Sequence, residues 1–472
     1  MRKRENFTGN LGFVLATAGS AIGLGNLWRF PYLAAKDGGG LFLLIYIILV
    51  FSFGYTLMTA EIAIGRKTGS GPLQAYSKMD RRFDFLGWLA TAVPAMVFPY
   101  YCVIGAWILN YGVTYISGGS SHIYEAGATH FFDNFISNPI STILFLFLFM
   151  GLSALIVLLG VEKGIEKASK VIMPILLVII IGIMVYSLSL SHYDEISQTT
   201  RTAWDGLKIY LIPNFKGLTI GKFFSILLDA TGQMFYSLSV AMGIMITYGS
   251  YAKKESDLVS SINRIEFFDT GIAILAGTII IPTVFVFQGM EGLAKSGPSL
   301  LFVSLPQVFE KMGVVGHVVG SLFFLLTFFA ALTSAISLME AVVAGMIDRF
   351  ELTRPIATSL CLVISLVIGV IVCLGYNVLH CNISLPNGTQ GQILDLLDYI
   401  ANNLMLPIVA LLTCILVGWV CKAHSVLDEI KIGYRKEIIW REKLFAVMIR
   451  YIAPLLLLII LLQAFNVFSF LK

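Results

Sequence analysis

The sequence is poor in charge. Asp, Glu, Lys and Arg make up 13% of its 472 residues, against about 25% in an ordinary soluble domain. That deficit argues against a water-soluble globular fold. Metal-ligating patterns are also absent. The six cysteines (Cys102, Cys361, Cys373, Cys381, Cys414 and Cys421) have no metal-type spacing, and five lie in or beside apolar runs, where they read as packed, inert thiols. Whether Cys373 and Cys381 meet is left open by the sequence. The six histidines (122, 130, 192, 317, 380 and 424) show no ligand-like grouping, and no nucleophile–base cluster is visible. A metal centre and an enzyme are therefore not expected. The net charge of +4 follows from loop residues and calls for no nucleic-acid partner. No small-residue cleavage site follows the basic start Arg2-Lys3-Arg4, so the first apolar segment is expected to stay as a helix.

Hydrophobic sequence is what the chain has in abundance. The apolar share is 57% and the mean hydropathy +0.85. Apolar runs long enough to cross a bilayer fall at roughly 10–34, 41–65, 86–115, 137–161, 167–191, 222–250, 265–288, 314–346, 355–376, 395–421 and 444–469. The reading is an all-α membrane protein of about eleven transmembrane helices. Connecting loops on one side carry 22 Lys and Arg, and those on the other carry 7. Positive charge stays inside, so the N-terminus is expected in the cytoplasm and the C-terminus outside or in the periplasm, in a multi-pass protein of the plasma (inner) membrane. The lipid bilayer is then an obligate partner, and a dimer is allowed but not required.

Two of the runs contain helix-breaking sequence. The first holds Gly19-Ser20-Ala21-Ile22-Gly23-Leu24-Gly25-Asn26-Leu27-Trp28-Arg29-Phe30-Pro31, and the sixth holds Ser237-Leu238-Ser239-Val240-Ala241-Met242-Gly243. Unwound backbone inside a membrane is tolerated where it lines a cavity. Two such breaks five helices apart suggest a 5+5 inverted repeat, with residues 1–191 as the first half, 192–421 as the second, and 422–472 as an inner loop and last helix. Small-residue helix packing is the simpler account of one glycine cluster, but it explains two corresponding clusters poorly. Intramembrane charges add weight: Arg29, Glu61, Asp269, Glu340 and Asp398 all fall in apolar runs. Structural pairing alone would account for Glu61 and Glu340. Thr333 and Ser334 place two hydroxyls side by side in the eighth run; they either bond back to the preceding helical turn or ligate an ion. A channel would need polar rings along a continuous pore, whereas these polar groups gather at two breaks.

At these residues the chain resembles the neurotransmitter:sodium symporter family, in its short prokaryotic eleven-helix branch. The motifs are GSAIGLGNLWRFPYLAAKDGGG (19–40), TAEIAIGR (59–66), PYYCVIGAW (99–107), QMFYSLSVAMG (233–243) and FFAALTSAISLME (328–340). The resemblance implies a sodium-coupled symporter that carries an amino acid by alternating access, with two sodium ions. It implies one sodium at the carbonyl of Ala21, the side chains of Asn26, Ser237 and Asp269, and the substrate carboxylate. The other would lie at the carbonyls of Gly19, Ile22 and Ala330 and the hydroxyls of Thr333 and Ser334. The substrate carboxylate would meet the amides of Leu24 and Gly25 and the hydroxyl of Tyr101. Its amino group would meet the carbonyls of Ala21, Tyr236 and Ser237 and the side chain of Ser239. Val97, Tyr101, Tyr236, Met242, Ser334 and Leu338 would line the side-chain pocket.

The resemblance also implies gates. Arg29 with Asp398 would close the outer side under Tyr101 and Tyr236, with Gln233 nearby. Arg4 with Asp348 would close the inner side, supported by Phe7, Ser250 and Tyr251; Phe7 stands where the family commonly has tryptophan. Gly164 and Pro174 match a family spacing associated with local unwinding of helix 5, or simply mark a helix start and an early proline. Helices 1, 2, 6 and 7 would rock against 3, 4, 8 and 9. Chloride-dependent members carry an asparagine and a serine where this chain has Asp269 and Ala273. A fixed carboxylate at 269 supplies the charge that chloride otherwise brings, so transport is expected to be chloride-independent, with protonation of Asp269 on the return step as a route to proton antiport. Amine carriers have an aspartate where this chain reads Ser20-Ala21, and Met242 and Leu338 make an apolar wall. The expected substrate is a neutral, medium-sized apolar amino acid such as leucine or methionine, with aromatic and small amino acids as the alternative.

Overall fold

The computed structural model describes residues 5–194, 198–215, 217–293, 298–386, 388–433, 439–465 and 467. Among them, nine unbroken helices are long and apolar enough to cross a membrane. They are α2 (Gly40–Thr68), α3 (Arg81–Ile116), α4 (Pro139–Leu158), α5 (Val161–Leu188), α7 (Leu258–Leu293), α8 (Val314–Phe350), α9 (Arg354–Leu374), α10 (Ile393–Val420) and α11 (Trp440–Ala464). A tenth span, α1, is a bent pair, Asn10–Ala21 and Gly25–Lys36, turning by 50° at its break. Ile220–Leu238 and Ile244–Tyr251 form a second broken pair, α6, separated by residues 239–243. The structure is an all-α membrane protein, and the eleven apolar runs become eleven elements of which two are interrupted.

Burial sorts the helices into layers. Along their most apolar stretches α3, α7 and α8 are 78% buried inside the protein, whereas α4, α5 and α9 are 39% buried and α11 only 28%. The outer layer turns large apolar side chains outward, among them Ile140, Leu144, Val178, Val363 and Leu455. In water that would be a liability, but hydrocarbon is the matching solvent. The central layer gains its density from small residues. A Cβ on Gly65 of α2 would lie 2.0 Å from the Ile246 carbonyl oxygen, and one on Gly249 of α6 would lie 2.3 Å from that of Ile62. The second helix therefore packs backbone to backbone on the inner half of the sixth.

The breaks are shorter than the motifs that announce them. In α1 the helix runs through Ala21, bends at residues 22 and 23, and is helical again from Leu24, at φ −61° and ψ −24°. Ile22 turns extended, at φ −75° and ψ 100°. In α6 the helix persists through Ser237 and Leu238, and the break begins at Ser239. Ser239, Ala241 and Gly243 take left-handed φ values of 51°, 62° and 67°, which no right-handed helix accommodates.

The connections are more structured than the sequence suggested. Short helices form at Pro72–Met79, Ser120–Ala126, Ala128–Ser137, Ala203–Leu211, Leu305–Lys311 and His424–Lys431. Two small antiparallel hairpins pair Ser191–Asp194 with Thr199–Thr202 and Ile383–Ser384 with Gln390–Gly391. All six cysteines are free thiols, so Cys373 and Cys381 do not meet, and Cys381 is exposed.

Candidate functional site

Breaking two helices in the bilayer frees backbone groups, and each needs a partner. The structure supplies them from side chains of other helices. Ser334 Oγ donates to the carbonyls of Ser20 (3.0 Å) and Ile22 (3.4 Å), joining α8 to the break in α1. Ser239 Oγ donates to the same Ser20 carbonyl at 3.1 Å, tying the two breaks together. The Leu24 amide donates to the Tyr101 hydroxyl at 3.4 Å, and the Gly23 amide to Asn26 Oδ1 at 3.1 Å. Gln233 Nε2 reaches the Gly25 carbonyl at 2.9 Å. The Ala241 amide, released by the left-handed turn, donates to Glu61 Oε1 at 2.7 Å. Glu61 thus meets the sixth helix through one oxygen, while its Oε2 is buried without a hydrogen-bond partner.

A small cavity of about 30 Å³ lies where the breaks meet. It is lined by Ala21, Leu24, Gly25, Val97, Tyr101, Tyr236, Ser239, Met242, Ser334 and Leu338, with Ser20, Gly23 and Ile244 in addition. Ser237 does not line it. Still helical, it turns its hydroxyl away to the Asp269 carboxylate, at 2.9 and 3.0 Å. Ile244 escaped the sequence reading because it lies just beyond the break, on the first turn of the inner half-helix.

Beside the cavity lie two oxygen-rich clusters. In one, Asn26 Nδ2 donates to Asp269 Oδ1 at 2.8 Å and to the Asp269 carbonyl at 3.1 Å, and Ser237 completes the group. All three residues are fully buried. In the other, Thr333 Oγ1 lies 3.1 Å from the Ala330 carbonyl, while Ser334 approaches Ile22. The Thr333 side chain also packs beside Gly19. Carboxylate, hydroxyl, amide and carbonyl oxygens are the hard donors an alkali cation takes.

The outer end, named from the loop charges, is not latched as expected. Arg29 lies over the Tyr236 ring, 5.6 Å from its centroid. Asp398 instead accepts hydrogen bonds from Tyr100 (3.0 Å) and Asn402 (2.7 Å). Among the described residues no ion pair joins Arg29 to Asp398, so the expected outer gate is not latched in this structure. Two neutral donors from α3 and α10 meet the carboxylate, and a cleft lined by Arg29 lies beside it. Gly232, Tyr236, Asn402 and Gln463 also line that cleft.

The inner end is packed. Phe7 is 1% exposed and makes edge contacts with Phe13, Tyr248 and Tyr251. Its amide donates to the Tyr251 carbonyl at 3.1 Å. Ser250 bonds back to the Thr247 carbonyl. Asp348 accepts from the Gly71 amide at 2.6 Å. Arg4 lies outside the described residues. The buried charge Glu340 is met by Arg354 at 2.7 and 3.1 Å and by the Tyr251 hydroxyl at 2.6 Å, which makes it a structural pair. Glu5 joins the network at 3.4 Å from Arg354. Around Gly164 the fifth helix is wound from Val161 onward, so the Gly164–Pro174 spacing is not open here. Sequence reasoning missed Glu166, which bonds Thr8 and Lys170 at this inner end. It lies at the start of the fifth apolar run, where no motif singles it out.

Membrane helices arranged around two mid-membrane breaks, with polar groups converging there, define a secondary transporter. The chain belongs to the sodium:neurotransmitter symporter family, whose model matches residues 4–121 and 124–472. It is 34% identical to the sodium-dependent transporter YhdH of Bacillus subtilis, over 99% of each chain. A sodium-dependent transporter of Methanocaldococcus jannaschii is 32% identical, over 99% of this chain and 92% of its own. A solved structure, MhsT in complex with L-phenylalanine, superposes with a TM-score of 0.85 at 35% identity, covering 98% of this chain and 100% of the other.

Proposed function

We propose that the protein is a sodium-coupled symporter of a neutral amino acid with an apolar side chain. The observation that carries this reading is the convergence of both helix breaks on one cavity flanked by two oxygen clusters. The half-helix that starts at Gly25 directs its amides toward the cavity, a setting that favours a carboxylate. Ala21 and Ile22 end the preceding half-helix with carbonyls, which favour cations. In this reading Asn26, Ser237 and Asp269 hold one sodium with the Ala21 carbonyl. Thr333 and Ser334 hold the second with the carbonyls of Gly19, Ile22 and Ala330.

Coupling follows from shared ligation. If the substrate carboxylate completes the first sodium shell, each ligand raises the other's affinity by the same factor. One charge moving down 100 mV releases about 2.3 kcal/mol before its concentration gradient is counted, so two ions drive strong accumulation. Asp269 supplies fixed negative charge, which makes chloride dispensable. Two inverted halves rocking about the cavity would alternate access, with the N-terminus inside. Met242, Val97 and Leu338 favour medium-sized apolar side chains. The likeness to MhsT with bound phenylalanine supports the aromatic reading as the second one.

The test is a thermal-shift screen of the twenty amino acids with and without sodium, because a ligand that binds only the folded state raises its apparent stability. Apolar amino acids should stabilise the protein in sodium and not in potassium. Equal shifts in both salts, or shifts confined to charged amino acids, would refute the assignment.

A further inference from the structure

At the outer end of α1, Asp37 has a side chain only 7% exposed, and its Oδ2 is buried without a hydrogen-bond partner. Its neighbour across the gap is Asp229 on the outer half of α6, close enough to share a hydrogen bond once either carboxyl carries a proton. Lys36 lies between them. Its Nζ is 2.8 Å from Asp229 Oδ2 and 3.9 Å from Asp37 Oδ1. Lys222, also on α6, is the remaining cation acting on Asp37. One close ammonium thus serves two carboxylates, and it favours Asp229.

Asp37 is held where it is. It caps the C-terminal end of Phe30–Lys36, donating its amide to the Leu33 carbonyl at 2.9 Å. A helix C-terminus disfavours an anion. The following residues are wedged against a loop: Gly39, at φ 58°, bridges to Pro213, and a Cβ there would lie 1.9 Å from the Ile209 carbonyl oxygen. The backbone that carries the carboxyl is thereby fixed, with its side chain 7% exposed. Two facing carboxylates that cannot separate are relieved by a proton on one of them.

We propose that Asp37 and Asp229 form a proton-binding site at the outer mouth of the protein, which ties the outer half of α1 to the outer half of α6 when a proton is shared and loosens them when both carboxyls ionise. These are the segments that carry Arg29, Gln233 and Tyr236 over the cavity, so external pH sets how firmly the cavity is covered. Burial and then the charge of Asp229 push the Asp37 carboxyl up to about 7. Its unfolded value is about 4. The folded state therefore holds the extra proton between these values, and stability falls as pH rises from about 4 to about 7, then levels.

The experiment is thermal unfolding of the sodium-free, substrate-free protein from pH 5 to 9 at constant ionic strength. It compares the parent with Asp37→Asn and Asp229→Asn. The parent should lose stability up to about pH 7 relative to Asp37→Asn, which lacks that step. Asp229→Asn should move the step down by one pH unit or more, because Asp37 then has Lys36 to itself. A second readout uses a membrane-impermeant thiol reagent on Ser225→Cys, a cleft-lining position, in a Cys381→Ser background. After correction for thiolate fraction, labelling should quicken several-fold above pH 7, and not with Asp37→Asn. An unchanged step in Asp37→Asn, or labelling indifferent to pH in the parent, overturns the proposal. Because neither readout uses sodium or substrate, the result stands apart from the transport assignment.

Discussion

In the proposed function, Asp269 is the residue on which the ion chemistry turns. It is fully buried; its carboxylate accepts from Asn26 at 2.8 Å and from the Ser237 hydroxyl, which lies 2.9 and 3.0 Å from its two oxygens. Replacing it with asparagine keeps the shape and removes the charge. Asp269→Asn should weaken apparent sodium affinity at least tenfold, a loss of about 1.4 kcal/mol, and should make uptake fall when chloride is replaced by gluconate. Chloride-independent uptake in that variant would show that the carboxylate does not stand in for the anion. Ala241 offers a different test. A non-glycine residue pays about 1–2 kcal/mol for a left-handed backbone, and glycine adds back about 0.4–1 kcal/mol of unfolded-state freedom. Ala241→Gly should therefore raise the melting temperature slightly; a clear fall would mean that the methyl group packs better than its strain costs. Most cavity residues were legible because the break motifs name them. Ser237 was named with Asp269 from the sequence, and the helix that persists through it turns its hydroxyl to that carboxylate and away from the cavity. Asp37 carried no signal in the sequence, because its contact with Asp229 of α6 is made only by the fold.

At the scale of elements, the inner half of α6 depends on α2 for its place. Gly249→Leu would drive a branched side chain into the Ile62 backbone, where even a Cβ lies 2.3 Å from the carbonyl oxygen. The expected outcome is loss of a monodisperse peak in size-exclusion chromatography. Gly271→Ala, with nothing within 4 Å of the added carbon, should leave that peak intact. The membrane helices were readable because bilayer thickness imposes a length on each apolar run. The loop helices were not, because stretches such as Pro72–Met79 are too short to be stable alone and take their form from packing on α3. The breaks were placed to within a few residues: glycine permits a left-handed turn, but tertiary hydrogen bonds from Ser334, Ser239 and Glu61 decide which residue takes it.

For the whole molecule, the two ends differ. The inner end is sealed by Phe7 and by the network of Glu340, Arg354, Tyr251 and Glu5, while the outer end leaves Arg29 and Asp398 unjoined below an open cleft. Removing Arg354 strands Glu340 without its cation in the interior. Arg354→Ala should cost about 3–5 kcal/mol, seen as a lower midpoint in chemical denaturation, and Glu340→Gln in the same chain should recover part of it. No recovery would mean that the two side chains act independently. In the proposed function, a molecule sealed at the Phe7 end and unlatched at the Arg29 end receives sodium and substrate from the Arg29 side. The most direct measurement is uptake of radiolabelled phenylalanine, leucine and methionine into proteoliposomes under an imposed sodium gradient. Uptake of at least one of them should be saturable, concentrative and abolished when potassium replaces sodium; a flux linear in substrate and indifferent to sodium would contradict the account.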